Sequence, residues 1–198
     1  HPTGVGRYLG ELFKAWAESP EARRHEWHCF THQPIAVPSA LPASVHVLAG
    51  AGGTRWEQGT LRRALGRDRP DVVFAPAYTA PLAAPAPLVL TIHDVSFAAH
   101  PEWFSRREGL RRRLLTTWSA RRARLVLTDS TFSRDEIVTH LGIPPARLRV
   151  IPLGPPATRA RASQAEREPV VLFVGSIFQR RHVDTLIDVF LTHVAPLV

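Results

Sequence analysis

Short runs of continuous apolar residues recur along this chain, each bounded by turn residues, and segments with helical periodicity lie between most of them. The clearest are Asp71-Val72-Val73-Phe74-Ala75, Leu88-Val89-Leu90-Thr91-Ile92, Leu125-Val126-Leu127-Thr128 and Arg149-Val150-Ile151-Pro152. A strand that faces water on one side alternates polar and apolar residues, whereas a strand without a polar face must be covered on both. Helices in the intervening segments can supply that cover. The pattern therefore predicts an α/β chain with a mostly parallel, doubly wound sheet.

The helices that would do the covering are legible in outline. Leu9, Leu12, Phe13 and Trp16 recur at helical spacing, which predicts a helix from about Val5 to Glu18, ending near Pro20. Short strands are expected at Glu26 to Thr31 and Val45 to Ala49. After Gly50 to Gly53, a helix is expected from about Arg55 to Arg67. A further helical region runs from Pro101 to about Arg122. Ser133-Arg134-Asp135-Glu136 has capping-box spacing, so a helix should start there and run to Leu141 before Gly142. From Gly154 to Pro169 the residues lose apolar periodicity and read as a linker. Val170 to Gly175 is a fresh buried strand, and Val183, Leu186, Ile187 and Phe190 mark a fresh helix. The expected organisation is one domain over residues 1–153, a linker over 154–169 and the first βα unit of a second domain over 170–198. With 198 residues, no methionine and a start in turn-like sequence at His1, the chain reads as a fragment.

Composition narrows the function less than the fold. No apolar run is long enough for a membrane span, no signal sequence is visible, and the single cysteine, Cys29, fits a reducing compartment. A cytoplasmic location follows as the expectation. The formal charge of +8 is carried almost wholly by arginine, Lys14 being the only lysine, and draws anionic partners without choosing among them. Within the arginine-rich stretch Arg106 to Arg124, Leu110, Leu114 and Trp118 form a four-residue stripe expected to face the core. The arginines are then the wet face; contact of that face with anionic lipid or an anionic acceptor is the functional alternative.

Chemistry is sought where ligands bind in open α/β sheets, at the carboxyl ends of the strands. His93 and Asp94 arrive there side by side, directly after the Leu88 to Ile92 strand. Gly4-Val5-Gly6 precedes the first helix, where backbone amides and the helix dipole face an anion and glycine permits its close approach. Arg180, Arg181 and His182 follow the strand ending at Gly175, and guanidinium groups there suit a diphosphate. His25, His28, Cys29 and His32 fall on a predicted strand whose period of two sends His25 and His28 to opposite faces, so no metal site is expected. No serine lies in a Gly-x-Ser-x-Gly elbow, which removes the hydrolase triad.

Taken in order, Gly4-Val5-Gly6-Arg7-Tyr8, Trp56-Glu57-Gln58, Asp71 to Pro76, Thr91-Ile92-His93-Asp94-Val95-Ser96-Phe97, His100-Pro101-Glu102-Trp103-Phe104, Thr128-Asp129-Ser130-Thr131-Phe132-Ser133 and Val150 to Gly154 resemble the family 4 retaining glycosyltransferases of the GT-B fold. The likeness is to the mannosyltransferase-like branch of bacterial polysaccharide assembly. It implies that this chain is the N-terminal, acceptor-side Rossmann-like half of a two-domain enzyme plus the start of the nucleotide-sugar half, with the active site between the halves. By that resemblance His93 points toward the donor sugar, the amides of Gly4, Val5 and Gly6 approach its diphosphate, and Tyr78, Asp94 and Ser96 line the acceptor side. Arg181 stands where the family commonly has a lysine that neutralises the departing diphosphate, Arg180 assists, and Ser176 occupies a position where many relatives carry a second basic residue. No cofactor or metal is implied. The partners are a nucleotide diphosphate sugar carrying a mannose-like hexose and a glycan or lipid-linked acceptor, with peripheral contact to anionic membrane at the inner face of the plasma membrane and no nucleic acid. The first central strand of the family is expected before His1, and its pair of glutamates beyond Val198, so the chain by itself is expected to be inactive. The reading from a different class is a non-catalytic basic α/β module that binds nucleotide sugar, anionic lipid or nucleic acid.

Overall fold

A computed structural model of the chain describes residues 4–154, 172–175, 177–178 and 181–194. It divides into two compact units, His1–Leu153 and Gly154–Val198.

The first unit is α/β with parallel strands throughout. Strands β1 (Trp27–Thr31) and β2 (Ala43–Val47) pair in one small parallel sheet. Strands β3 (Val73–Ala75), β4 (Leu88–Thr91), β5 (Leu125–Thr128) and β6 (Leu148–Val150) form a second sheet in that spatial order, every pairing parallel. The fold is Rossmann-like. Its core is the apolar content of the runs that identify the strands: Leu88, Leu90, Ile92 and Val126 are fully buried, packed with Ile137, Leu141 and Ile143. Both faces of β4 are covered, which is why it carries no polar alternation.

Helix α1 (Gly4–Glu18) buries Phe13 and Ala17 in a smaller cluster with Leu41. Its Trp16 stacks on Trp27 of β1, centroids 4.4 Å apart, and meets Phe74 of β3 edge-on at 5.8 Å, so one indole touches a strand of each sheet. The helical stretch after β2 runs as α2 (Gly53–Arg55), a π-helical segment (Trp56–Leu61) and α3 (Arg62–Asp68). A single regular helix is what the spacing predicts, and the wider π turn is a departure from it. Gly50 and Gly52, with φ of 132° and 73°, bring the chain into this stretch; a Cβ on Gly50 would lie 2.7 Å from the Trp56 ring.

The remaining helices are a short α4 (Ser96–Ala99), which periodicity does not announce, α5 (Arg106–Arg122) and α6 (Thr131–Leu141). Instead of one helix from Pro101, a 3-10 turn at Pro101–Trp103 precedes α5, which starts after Ser105, whose side chain accepts from the Glu108 amide. The start of α6 also differs from the capping-box expectation at Ser133. Ser130 is the N-cap, and its Oγ accepts from the Ser133 amide at 3.0 Å and donates to Ser133 Oγ at 3.1 Å. Gly142 ends α6 in the left-handed conformation, φ 65°.

The largest correction concerns α5. Its buried residues are Gly109, Thr116, Ser119 and Ala120, whereas Leu110, Leu114 and Trp118 are exposed. Small side chains let the helix approach the core closely, and Ser119 Oγ accepts from the Ala80 amide there at 3.2 Å. The expected core stripe is therefore an outer face. The carboxyl end of α5 is fixed by Arg147, which donates to the carbonyls of Ala120, Arg121 and Ala123 and so satisfies the orphan acceptors of the last turn.

In the second unit, α7 (Val183–Val189) forms where a helix is expected and continues as a π turn over Phe190–Val194. Residues 172–175 form no strand, and Leu172 and Val174 are exposed. The rest of the expected strand, most of the linker, Ser176 and Arg180 lie outside the described residues.

Candidate active site

Three adjacent strands end on the same edge of the sheet, and each delivers a polar group within two residues of its end. After β3 come the Pro76 carbonyl and Tyr78, after β4 come His93 and Asp94, and after β5 comes Asp129. Parallel pairing makes this convergence automatic, because all the carboxyl ends lie on one side.

His93 is the centre of the cluster. Its Nδ1 lies 2.8 Å from Asp129 Oδ2 and its Nε2 lies 3.0 Å from the Pro76 carbonyl oxygen. A carbonyl only accepts, so Nε2 carries a proton and donates it to Pro76. Both ring nitrogens thus face oxygen atoms supplied by the neighbouring strand ends. Aromatic edges close the ring in: Tyr8 of α1 at 5.0 Å and Tyr78 at 5.8 Å, both near-perpendicular. The His93 carbonyl accepts from Ser133 Oγ at 3.0 Å, which ties the first turn of α6 to the same loop.

Asp94 is exposed and turns to other partners. Its Oδ1 accepts from the Ser96 amide at 2.9 Å and from Ser96 Oγ at 2.8 Å, bracing the entry to α4. Its Oδ2 accepts from the Tyr78 hydroxyl at 3.0 Å. Tyr78 has φ of 53°, an unusual conformation for a residue with a Cβ, and its amide donates to the Thr91 carbonyl at 2.8 Å. Burial, followed by the nearby carboxylates of Asp94 and Asp129, pushes the phenol well above its ordinary range, so it remains a donor across the neutral range.

Gly4, Val5 and Gly6 form the first turn of α1, with no acidic side chain in that turn. Tyr8, about one turn further along, sits over His93, so the N-terminal part of α1 lies near the edge where His93 lies. Tyr8 Oη is also 3.4 Å from Thr91 Oγ1. Arg181 belongs to the second unit, where its amide donates to the Phe178 carbonyl at 2.8 Å.

The structure brings Tyr78, His93, Asp94 and Ser96 together through direct contacts. It also supplies partners that the quoted motifs contain but to which the sequence assigns no site role: Asp129, Tyr8, Ser133 and the Pro76 carbonyl. Asp129 had a usable signal, since it follows the Leu125 to Thr128 run just as His93 follows the Leu88 to Ile92 run. Tyr8 stands in the Gly4-Val5-Gly6-Arg7-Tyr8 motif, but its contact with His93 depends on how α1 packs.

Beyond this edge, Glu57 accepts from Thr79 Oγ1 at 2.7 Å and from Gln58 Nε2 at 2.8 Å, and Gln58 is fixed in turn by the Ala80 carbonyl and the Leu82 amide. Burial raises the Glu57 carboxyl above its usual range, and the two accepted hydrogen bonds oppose that. His28 of β1 contacts Glu26 at 3.0 Å and Asp68 at 3.1 Å. No group of three or more histidine, cysteine or acidic side chains is placed to hold a metal ion among the described residues.

No curated protein matches the chain. A family model does, the one described as Glycosyltransferase Family 4, over residues 2–159. The matched span takes in both sheets and every group of the strand-end cluster, and most of the chain with them, so this chain belongs to Glycosyltransferase Family 4.

Proposed function

We propose that this chain is the acceptor-side portion of a retaining glycosyltransferase that moves a mannose-like hexose from a nucleotide diphosphate sugar to a glycan or lipid-linked acceptor in the cytoplasm. The observation that carries the reading is the convergence of His93, Asp94, Tyr78 and Asp129 on one strand edge in a chain of this family. A transferred sugar presents hydroxyl groups and, as its bond to the leaving diphosphate breaks, developing positive charge at the anomeric carbon. Polar groups held rigidly by one another are suited to orient it, since they need no reorganisation when charge develops.

In this reading His93 contacts the donor sugar, and Asp129 acts as the positioning residue that fixes its ring. Tyr78, Asp94 and Ser96 face the acceptor. The amides of Gly4, Val5 and Gly6 are assigned to the donor diphosphate, and guanidinium groups such as those of Arg180 and Arg181 suit the same kind of anion.

The test has two arms. The 198-residue chain is expected to produce no transfer from nucleotide sugars, and measurable turnover by it alone would overturn the assignment of this chain as an incomplete part of the enzyme. In a protein that includes the donor half, His93→Ala should abolish most transfer with the fold intact by circular dichroism. Unchanged transfer would sink the site.

A further inference from the structure

Between the end of β3 and the start of β4, residues 76–87 form neither helix nor strand, yet Ala80 and Pro81 within them are fully buried. Buried backbone without a ladder needs other partners. Side chains supply them. The Ala80 amide donates to Ser119 Oγ, and the Ala80 carbonyl accepts from Gln58 Nε2 at 3.1 Å. The Leu82 amide donates to Gln58 Oε1 at 2.9 Å. With its oxygen taken by an N–H, Gln58 has its amide nitrogen turned to Ala80 and to Glu57 Oε1, the latter at 2.8 Å. The other carboxylate oxygen of Glu57 accepts from Thr79 Oγ1 at 2.7 Å.

Gln58 and Ser119 thus satisfy the buried backbone of this segment without Glu57. Glu57 is a half-buried carboxyl, and no lysine or arginine pairs with it among the described residues. An apolar side chain would fill the same space without desolvating a charge. What the carboxylate adds is direction: one oxygen is fixed by Gln58, and the other holds the hydroxyl of the residue that follows Tyr78. Tyr78 is the strained residue of the segment, φ 53°, and such a conformation persists only where the surroundings over-determine it. On one side its amide is tied to the Thr91 carbonyl of β4 at 2.8 Å. On the other, Thr79 is tied to Glu57. Glu57 itself stands in the π turn over Trp56–Leu61, a departure from regular helix that recurs at functional sites.

We propose that Glu57 is a positioning residue for the acceptor side of the site: by holding Thr79 it keeps Tyr78 in the conformation that sets the phenol on Asp94 and the ring edge against His93. The proposal rests on the reading in which Tyr78, Asp94 and Ser96 face the acceptor. Tyr78 and Asp94 offer a phenol oxygen and a carboxylate oxygen 3.0 Å apart, the complement of an acceptor hydroxyl that both donates and accepts. Glu57 hydrogen-bonds neither His93 nor Asp94, so it acts on that pair only through the placing of Tyr78.

The first measurement needs no donor and no transfer. The chain has two tyrosines, Tyr8 and Tyr78, so ring-labelled tyrosine gives two sets of NMR signals. Glu57→Ala should move the Tyr78 signals toward those of an unstructured chain and remove their cross-peaks to His93, while the Tyr8 signals stay in place. Thr79→Val, which removes only the hydroxyl that Glu57 holds, should do the same. Glu57→Gln, whose side-chain oxygen can still accept from Gln58 and whose amide can donate to Thr79, should restore them. The second measurement uses a protein that joins this chain to a donor half. There Glu57→Ala should raise the acceptor KM about tenfold with kcat and donor KM changed by less than about threefold, and Glu57→Gln should recover most of the loss. Tyr78 signals indifferent to Glu57→Ala and Thr79→Val would overturn the proposal. So would a Glu57→Ala variant that displaces both tyrosines while Thr79→Val displaces neither, which would make Glu57 a general support of the fold, or a loss confined to kcat. A joined protein without any transfer would count against the glycosyltransferase reading alone, and the NMR comparison would still decide whether Glu57 holds Tyr78.

Discussion

Two histidine–aspartate contacts lie in the first unit: His93 and Asp129 share a hydrogen bond, whereas His28 Nδ1 makes none to Asp68 despite their proximity. His93 and Asp129 sit 2.8 Å apart beyond the ends of β4 and β5, with side chains 14% and 21% exposed. His28 and Asp68 sit 3.1 Å apart between the middle of β1 and the end of α3, at 27% and 25%. The first pair is reinforced by the Pro76 carbonyl and two tyrosine edges, the second by the well-exposed Glu26 and by stacking of His28 on His46. The surroundings differ in kind as well. β4 is buried on both faces, whereas β2, beside β1, exposes Val45 and Val47. A histidine–carboxylate contact is thus no mark of a site on its own. The distinguishing feature is the strand end, where a rigid sheet can present the pair to a ligand without burying the ligand's approach.

The widest separation between the pairs is expected in catalysis. In a protein that joins this chain to a donor half, as proposed, His93→Ala should lower kcat/KM on the order of 100-fold, the range for loss of one preorganised polar group at a reacting centre. His28→Ala should change it by less than about threefold, under about 0.7 kcal/mol in the barrier, because His28 lies on β1 in the other sheet. Steady-state kinetics of the two variants makes the check, and equal losses would erase the distinction. Asp129→Asn against Asp68→Asn repeats the contrast at smaller scale. Asparagine keeps the shape but not the charge, so transfer should fall about tenfold for the first, equivalent to about 1.4 kcal/mol in the barrier, and stay level for the second.

That asymmetry explains which parts of the molecule are legible in sequence. β4 and β5 are readable because burial on both faces leaves no polar residue in Leu88–Thr91 or Leu125–Thr128 except threonine. His93 is readable by position, and Asp129 is readable by the same logic applied one strand further along. The outward face of α5 is not readable. The Leu110, Leu114 and Trp118 periodicity is real, but the face that packs inward is made of glycine, alanine, serine and threonine, whose value lies in close approach rather than hydropathy. The cap of α6 is misplaced by the same kind of error. Ser133-x-x-Glu136 has the right spacing, while Ser130 three residues earlier has the extended backbone, φ −149° and ψ 159°, that a cap requires. Local motif spacing identifies candidates, and packing decides which of them is used.

Glu57 sharpens the comparison as a carboxylate with no imidazole beside it. Its neighbours are a hydroxyl and an amide, and burial outweighs them to raise its pKa. A carboxyl whose folded-state pKa is raised contributes stability that is fully present below its unfolded value, about 4.3, and lost as pH rises through the folded value. Thermal unfolding of Glu57→Gln should therefore show its melting temperature gaining on the unsubstituted protein between about pH 4 and pH 7, by a few degrees at most. A difference that stays constant with pH would mean that Glu57 ionises as freely in the fold as in the unfolded chain.

The smallest effect isolates the link between the two halves of the strand-end cluster. Tyr78 donates to Asp94 at 3.0 Å while its ring edges against His93, so Tyr78→Phe removes one hydrogen bond and keeps the aromatic contact. Asp94 retains the two bonds it accepts from Ser96 and is exposed, so it is left neither unpaired nor dry. The cost should be about 1 kcal/mol in urea unfolding, the net worth of an ordinary hydrogen bond. Because the phenol pKa is raised, its contribution is fully present below the unfolded value of about 10 and is lost only as pH climbs through the folded value. The difference between Tyr78→Phe and the unsubstituted protein should accordingly be flat from about pH 6 to pH 9. A difference that shrinks within that window would place the Tyr78 ionisation where the buried, carboxylate-flanked geometry forbids it.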